Sequence, residues 1–182
     1  MKSRYTWSNM EFDKSREIRF YSMWGMSFLP MSIRDFAFKL SNNQLMFNAN
    51  LSHFSMSDID PSCIQCILSM DLPAPKETAR HFFLSCPTNM KILDVYFNTF
   101  LQQNLIQWDT CMCLLGAPTN VPFYKSLIIN TEIILANYFL FECKKKKLTP
   151  HLNNLSNFNN LYRNTFFKFP KYMKSWTKWN SI

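Results

Sequence analysis

Four side chains with ligand chemistry crowd into one short segment: Cys63, Cys66, His81 and Cys86, spaced C-x2-C, fourteen residues, then H-x4-C. Thiolate sulfur and imidazole nitrogen are the donors of closed, tetrahedral structural zinc sites, and three thiolates with one imidazole is an established set. Two cysteines three positions apart suit a tight knuckle that aims both Sγ atoms the same way. Half of the chain's six cysteines and one of its three histidines fall in these 24 residues. The opening MKSRYTWSNM has no apolar leader, so a reducing intracellular setting, nucleus or cytoplasm, is expected; there, clustered cysteines serve as metal ligands or buried thiols rather than disulfides. Nothing in the sequence brings the rival ligands His53, Cys111 or Cys113 near the group.

The elements that must position these ligands can be read around them. Residues 57–62 (SDIDPS) form a turn or loop that delivers Cys63, and Pro73 and Pro75 bar an uninterrupted helix between Cys66 and Glu77. Thr78 is suited to cap a helix carrying His81, which Pro87 closes just beyond Cys86. A strict α-helix would be wrong for this pair, since five steps of about 100° leave the two ligands about 140° apart. The helix must loosen before Cys86.

Elsewhere the hydrophobic pattern is helical. Hydrophobic residues make up 47% of the chain, enough for a core, and only Gly25 and Gly116 are available for turns of positive φ, which disfavours a strand-rich fold with many tight hairpins. Ser32 heads a helix with Ile33, Phe36, Ala37 and Leu40 on one face; Leu45, Phe47, Leu51 and Phe54 mark a shorter element. Ile92, Val95, Tyr96 and Thr99 mark another helix. The longest, residues 123–147, presents Leu127, Ile128, Thr131, Ile134, Leu135, Tyr138 and Phe141, and Pro150 stops it. Asn130, Glu132 and Asn137 interrupt its apolar stretch, so no membrane span is predicted. Leu155, Phe158, Leu161, Tyr162 and Phe166 continue the helical spacing. The expected fold is a mostly α, small helical domain with an embedded CCHC zinc knuckle and a basic C-terminal helix. Its expected divisions are a lead-in or linker over 1–30, a helical lead-in plus knuckle over 31–90, and a helical C-terminal region with a basic aromatic tail over 91–182.

The formal charge of +8 is unevenly placed. No acid follows Glu142, while nine basic residues do, leaving 11 basic against 12 acidic residues in the preceding part. That asymmetry points to a polyanionic partner, RNA or DNA above all. A helix from Pro170 places Lys171, Lys174 and Lys178 on one stripe, with Tyr172, Trp176 and Trp179 on a neighbouring one. Lys144, Lys145, Lys146, Lys147, Lys168, Lys171, Lys174 and Lys178 are the candidate phosphate contacts, and Trp176 and Trp179 the candidate base-stacking residues. The competing expectation is that the aromatics pack on the domain and only the lysines meet solvent.

The stretch CIQC…ETARHFFLSCP resembles the reverse-transcriptase zinc-binding domain at the C-terminus of non-LTR, LINE-type retrotransposon proteins. Its pattern is C-x2-C, an E-T or E-S pair, then H-x-F-F-x-C-P. The flanks RDFAFKLSNNQLMFNANLSHF and ILANYFLFECKKKKLTP are similar in pattern to the helical lead-in and the lysine-rich helix of that domain. The resemblance implies that Cys63, Cys66, His81 and Cys86 bind Zn2+, that Glu77 and Thr78 are the E-T pair, and that Phe82 and Phe83 are the apolar packing pair. It implies a nucleic-acid-binding module that holds template RNA or target DNA beside an upstream reverse transcriptase domain.

Catalysis is not expected from this chain. It has no D-D pair for polymerase metals, no P-loop, no acidic nuclease pattern after Cys86, and no H-x-E for a zinc deaminase. Two alternatives remain: a structural or protein-interaction domain left by a decayed retroelement, and a binder of anionic membranes resting on Lys and Trp content.

Overall fold

The computed structural model describes residue 20 and residues 28–54, 58–69 and 73–181. Most of the expected lead-in over 1–30 therefore lies outside the described residues, as does part of the 57–62 loop. Within them the protein is mostly α-helical and has no strand, only an isolated antiparallel bridge between Ser62 and Lys76.

Helix α1, Met31–Ser41, buries Ile33, Phe36, Ala37 and Leu40, the expected face. Its N-cap is Pro30 rather than Ser32. A short α2, Asn48–Leu51, and α3, Ile64–Ser69, follow. Then comes a π-helical segment, His81–Ser85, and α4, Pro87–Gln102, with Pro87 in the first turn where its missing N–H costs nothing. A short α5, Met112–Leu115, leads through Gly116 to α6, Phe123–Lys145, which is followed by α7, Leu152–Phe166, and α8, Pro170–Asn180.

The fold is organised around α6. It packs against α1, α5, α7 and α8 and is buried on every side from Ser126 to Asn137, where periodicity alone predicts one broad face. Such all-round burial marks a core helix. By length and hydropathy α6 could also cross a membrane, but 83% of its apolar window is enclosed by the rest of the protein.

The polar residues that interrupt α6 each have an internal partner. Asn130 Oδ1 accepts from the Ala117 N–H at 2.6 Å, and Asn137 Nδ2 donates to the Cys113 carbonyl at 2.7 Å, pinning the α5–α6 connection. Glu132, fully buried, accepts from the Tyr96 hydroxyl at 2.7 Å, from Asn159 Nδ2 at 3.0 Å, and from two nitrogens of Arg163 at 3.1 and 2.9 Å. Burial and the adjacent Glu132 carboxylate push the Tyr96 phenol up, so it stays a donor. This network locks α4, α6 and α7 together.

With so little glycine, three helix ends put other residues in the left-handed region: Asn43 (φ 51), Leu105 (φ 55) and Lys147 (φ 53). Each is the pivot of a Schellman closure. At the end of α6, for example, the Leu148 N–H donates to the Cys143 carbonyl at 2.9 Å and the Lys147 N–H to Lys144 at 3.0 Å. That closure, before Pro150 is reached, ends the helix.

Candidate metal centre

The knuckle begins as a loop clamped to itself. The Cys63 N–H donates to the Pro75 carbonyl at 2.8 Å and the Glu77 N–H to Pro61 at 2.8 Å, so the two arms of the proline-containing loop lie side by side. Cys63 immediately precedes α3 and Cys66 lies within its first turn, which turns both sulfurs inward.

The opposite arm starts at Thr78, whose Oγ1 accepts the His81 N–H at 3.0 Å, the expected cap. From His81 the backbone widens into the π-helical segment, and the Cys86 N–H donates to the His81 carbonyl at 2.7 Å. A bond over five residues does for positions i and i+5 what the α-helix does for i and i+4: it sets them on one face. This is how the helix loosens. Cys86 itself is extended (φ −71, ψ 114), as the residue before a proline prefers. Beneath the turn Phe82 and Phe83 are fully buried, and Phe47 lies 5.5 and 5.9 Å from their ring centroids.

The four predicted ligands meet. One ligand atom from each of Cys63, Cys66, His81 and Cys86 lies within 4.8 Å of all the others. Cys86 Sγ stands 3.9 Å from Cys63 Sγ and 3.8 Å from Cys66 Sγ, and His81 Nε2 is 3.3 Å from Cys66 Sγ. A tetrahedral ion held by bonds of about 2.3 Å to sulfur and about 2.0 Å to nitrogen needs edges of about 3.8 Å between sulfurs and about 3.5 Å between sulfur and nitrogen. The donor set and its spacing fit such an ion, and these four residues could hold one. All three sulfurs are buried, while His81 is half-buried; its Nδ1 faces Ser85 Oγ at 3.4 Å, on the side away from the sulfurs. His53 is exposed on the turn after α2, and Cys111 and Cys113 belong to the α5 region; neither joins the cluster.

The protonation of these groups follows from their packing. Hydrogen bonding to Cys86 and burial push the Cys63 thiol far up, and burial and the neighbouring Cys63 push Cys66 up to about 11. Burial lowers the His81 imidazole, keeping it neutral and able to ligate.

Glu77 is the residue whose role the sequence conceals. Its buried carboxylate accepts the Asn48 N–H at 3.1 Å and the Ile64 N–H at 3.4 Å, the first residues of α2 and α3, and pairs with Lys144 Nζ at 3.1 Å. Lys144 also reaches Asn48 Oδ1 at 3.3 Å, and its side chain is only 10% exposed. Lys144, read in the sequence as a phosphate contact, is thus an internal strut. The one advance signal was the acid of the E-T pair; its partner on α6 could not be read from spacing.

The other basic candidates are exposed. Lys145 lies 2.7 Å and Lys146 4.0 Å from the Glu142 carboxylate, and Lys147 projects from the left-handed turn. Lys168, Lys171, Lys174 and Lys178 are also at the surface, with the ammonium groups of Lys171 and Lys178 over the rings of Phe123 and Tyr124 at 5.7 and 5.5 Å.

The aromatics point the other way. Trp179 is 2% exposed and stacks on Phe100 at 5.1 Å, and Trp176 is half-buried beneath the Arg163 guanidinium at 4.6 Å. The expected stacking role of Trp179 is corrected: its ring is already spent on the core.

No protein-family model, curated protein or solved structure matches this chain.

Proposed function

We propose that this chain is a zinc-stabilised nucleic-acid-binding module, without catalysis of its own, of the kind found at the C-terminus of a retrotransposon reverse transcriptase. The observation that carries the metal half is the convergence of Cys63, Cys66, His81 and Cys86 at tetrahedral spacing. Zinc suits three thiolates and an imidazole better than the hard cations, which prefer oxygen. Bound there, it would supply a structural cross-link between the two arms of the knuckle. The nucleic-acid half rests on the +8 charge and on exposed lysines at the end of α6 and along α8. The retroelement origin rests on the motif C-x2-C with E-T and H-x-F-F-x-C-P.

The test is twofold. Purified protein should contain one zinc per chain, and its affinity for single-stranded RNA or DNA should fall steeply as salt rises, because phosphate contacts release counterions. Protein that folds identically after chelation, or binding indifferent to salt, would overturn the respective half.

A second reading, a protein-interaction domain with purely architectural zinc, is favoured by one feature. A groove of about 670 Å³ between α1 and α6 has an apolar floor of Phe36, Leu45, Met46 and Phe141 with Asp35, Lys39 and Glu142 in its lining, and α1 also exposes Met31 and Phe38 outside it. An apolar docking surface would show little salt dependence.

A further inference from the structure

Among the described residues, the metal knuckle is joined to the C-terminal end of α6 by two links that involve no candidate ligand atom. The first is the buried Glu77–Lys144 pair at 3.1 Å. The second runs from Gln65, which lies between the two knuckle cysteines and is 1% exposed: its Nε2 donates to the Leu148 carbonyl at 3.0 Å. Leu148 is the residue whose N–H closes the Schellman turn on Cys143. The segment that carries Lys145, Lys146 and Lys147 is therefore tied at both ends, at Lys144 and at Leu148, to residues of the metal-binding segment.

Resting on the nucleic-acid reading above, we propose that Lys145, Lys146 and Lys147 form the principal phosphate-binding surface, and that the metal centre holds it in place through Glu77–Lys144 and Gln65–Leu148. Glu142 offsets one of the three charges and Glu77 cancels Lys144, leaving a local excess of two positive charges at a turn whose backbone is closed by hydrogen bonds. The carbonyls of Cys143 and Lys144, which would otherwise repel a phosphate, are already occupied by the N–H groups of Leu148 and Lys147. Exposed Lys76 precedes Glu77 directly, so the knuckle adds a cation beside its own anchor. On α8, by contrast, two of the lysine ammonium groups already sit over aromatic rings, and the aromatic stripe is turned inward. A phosphate backbone gains most from cations that are exposed and already ordered.

Glu77 is then a positioning residue: it touches neither metal nor ligand, and links loading of one to presentation of the other. The experiment compares salt titrations of single-stranded RNA binding by the zinc-loaded 182-residue wild-type chain, K145A/K146A/K147N, K171A/K174A/K178A and E77Q. Asparagine at 147 keeps the left-handed turn accessible. The α6 variant should reduce the slope of log affinity against log salt by about 1.4, at about 0.7 for each of the two phosphates no longer neutralised, and the α8 variant by clearly less. E77Q should retain zinc, weaken RNA binding, and speed amide exchange at Lys147 and Leu148. Should E77Q not fold, chelation of wild type provides the same readout, with faster exchange at those two amides. A larger slope loss in the α8 variant, or exchange at Lys147 and Leu148 unmoved by chelation, overturns this inference and leaves the nucleic-acid reading standing. Absence of RNA binding by every form, wild type included, overturns both.

Discussion

His81 and Cys86 face one point because the Cys86 N–H donates to the His81 carbonyl at 2.7 Å, a bond one residue longer than α-helical pairing. Pro87 enforces the geometry, since the residue before a proline avoids the α region. With Pro87→Ala the helix can run on, rotating Cys86 away from His81. Metal affinity is expected to fall by about tenfold or more, the usual cost of misorienting a ligand. Competition against a chromophoric chelator measures it, and unchanged affinity would show that the winding is held by something else.

Metal binding should be strongly pH-dependent, and the sign follows from the thiols. In the folded protein without metal, Cys63 and Cys66 sit above the ordinary thiol range and hold their protons at neutral pH, so an incoming ion must expel them. Affinity therefore rises with pH, and the stabilisation conferred by metal grows from about pH 6 to about pH 8 and shrinks on acidification. Thermal melting at fixed free zinc across that window should show a widening gap between loaded and chelated protein. A gap that narrows with rising pH contradicts thiolate ligation.

The buried pair of Glu132 and Arg163 joins α6 to α7 at 2.9 Å, with the Glu132 side chain fully buried. Glu132→Gln removes the charge but leaves the Arg163 guanidinium, 17% exposed, without its counterion. Breaking one partner of such a pair costs about 3–5 kcal/mol, and because Gln keeps an acceptor for Tyr96 and Asn159 the lower end is expected. Urea denaturation of wild type and variant under identical conditions checks it.

Backbone handedness gives two opposite outcomes. Leu105 is 97% exposed in a left-handed conformation, so Leu105→Gly relieves strain without giving up buried packing, and about 1 kcal/mol of stabilisation is expected. Gly116 has φ +71, and a Cβ there would meet Phe20 at 2.5 Å and Asn130 Oδ1 at 2.6 Å. Gly116→Ala adds strain and a clash, and a loss of roughly 2 kcal/mol is expected. Denaturation midpoints that move in the same direction for both variants would contradict this reading of the two turns.

What could be read along the chain is what depends on near neighbours. The four candidate ligands were legible because knuckle spacing and the prolines act within a few residues, and α1, α6, α7 and α8 because helical periodicity repeats locally; α4 was legible as a helix, but of its expected face only Tyr96 is buried, and Val95 and Thr99 are exposed while Leu93, Phe97 and Leu101 enter the core. Even the misfit of His81 and Cys86 on a strict helix follows from their separation; that the chain resolves it by π-winding, over buried Phe82 and Phe83 with Phe47 against them, is seen only in the fold.

Only the tertiary structure assigned the rest. Leu161 has the periodicity of a core residue yet is 68% exposed, and Asn159, polar in the sequence, takes the interior position because Glu132 and Tyr96 are there to bond it. Lys144 and its three neighbours are indistinguishable as a run of four lysines, but one of them meets a buried carboxylate and becomes structural. Trp179 reads as a stacking residue until Phe100 occupies its face. In each case the deciding partner lies far away in sequence. Local spacing determines which groups can do chemistry, whereas desolvation and pairing across elements determine which of them remain available to do it.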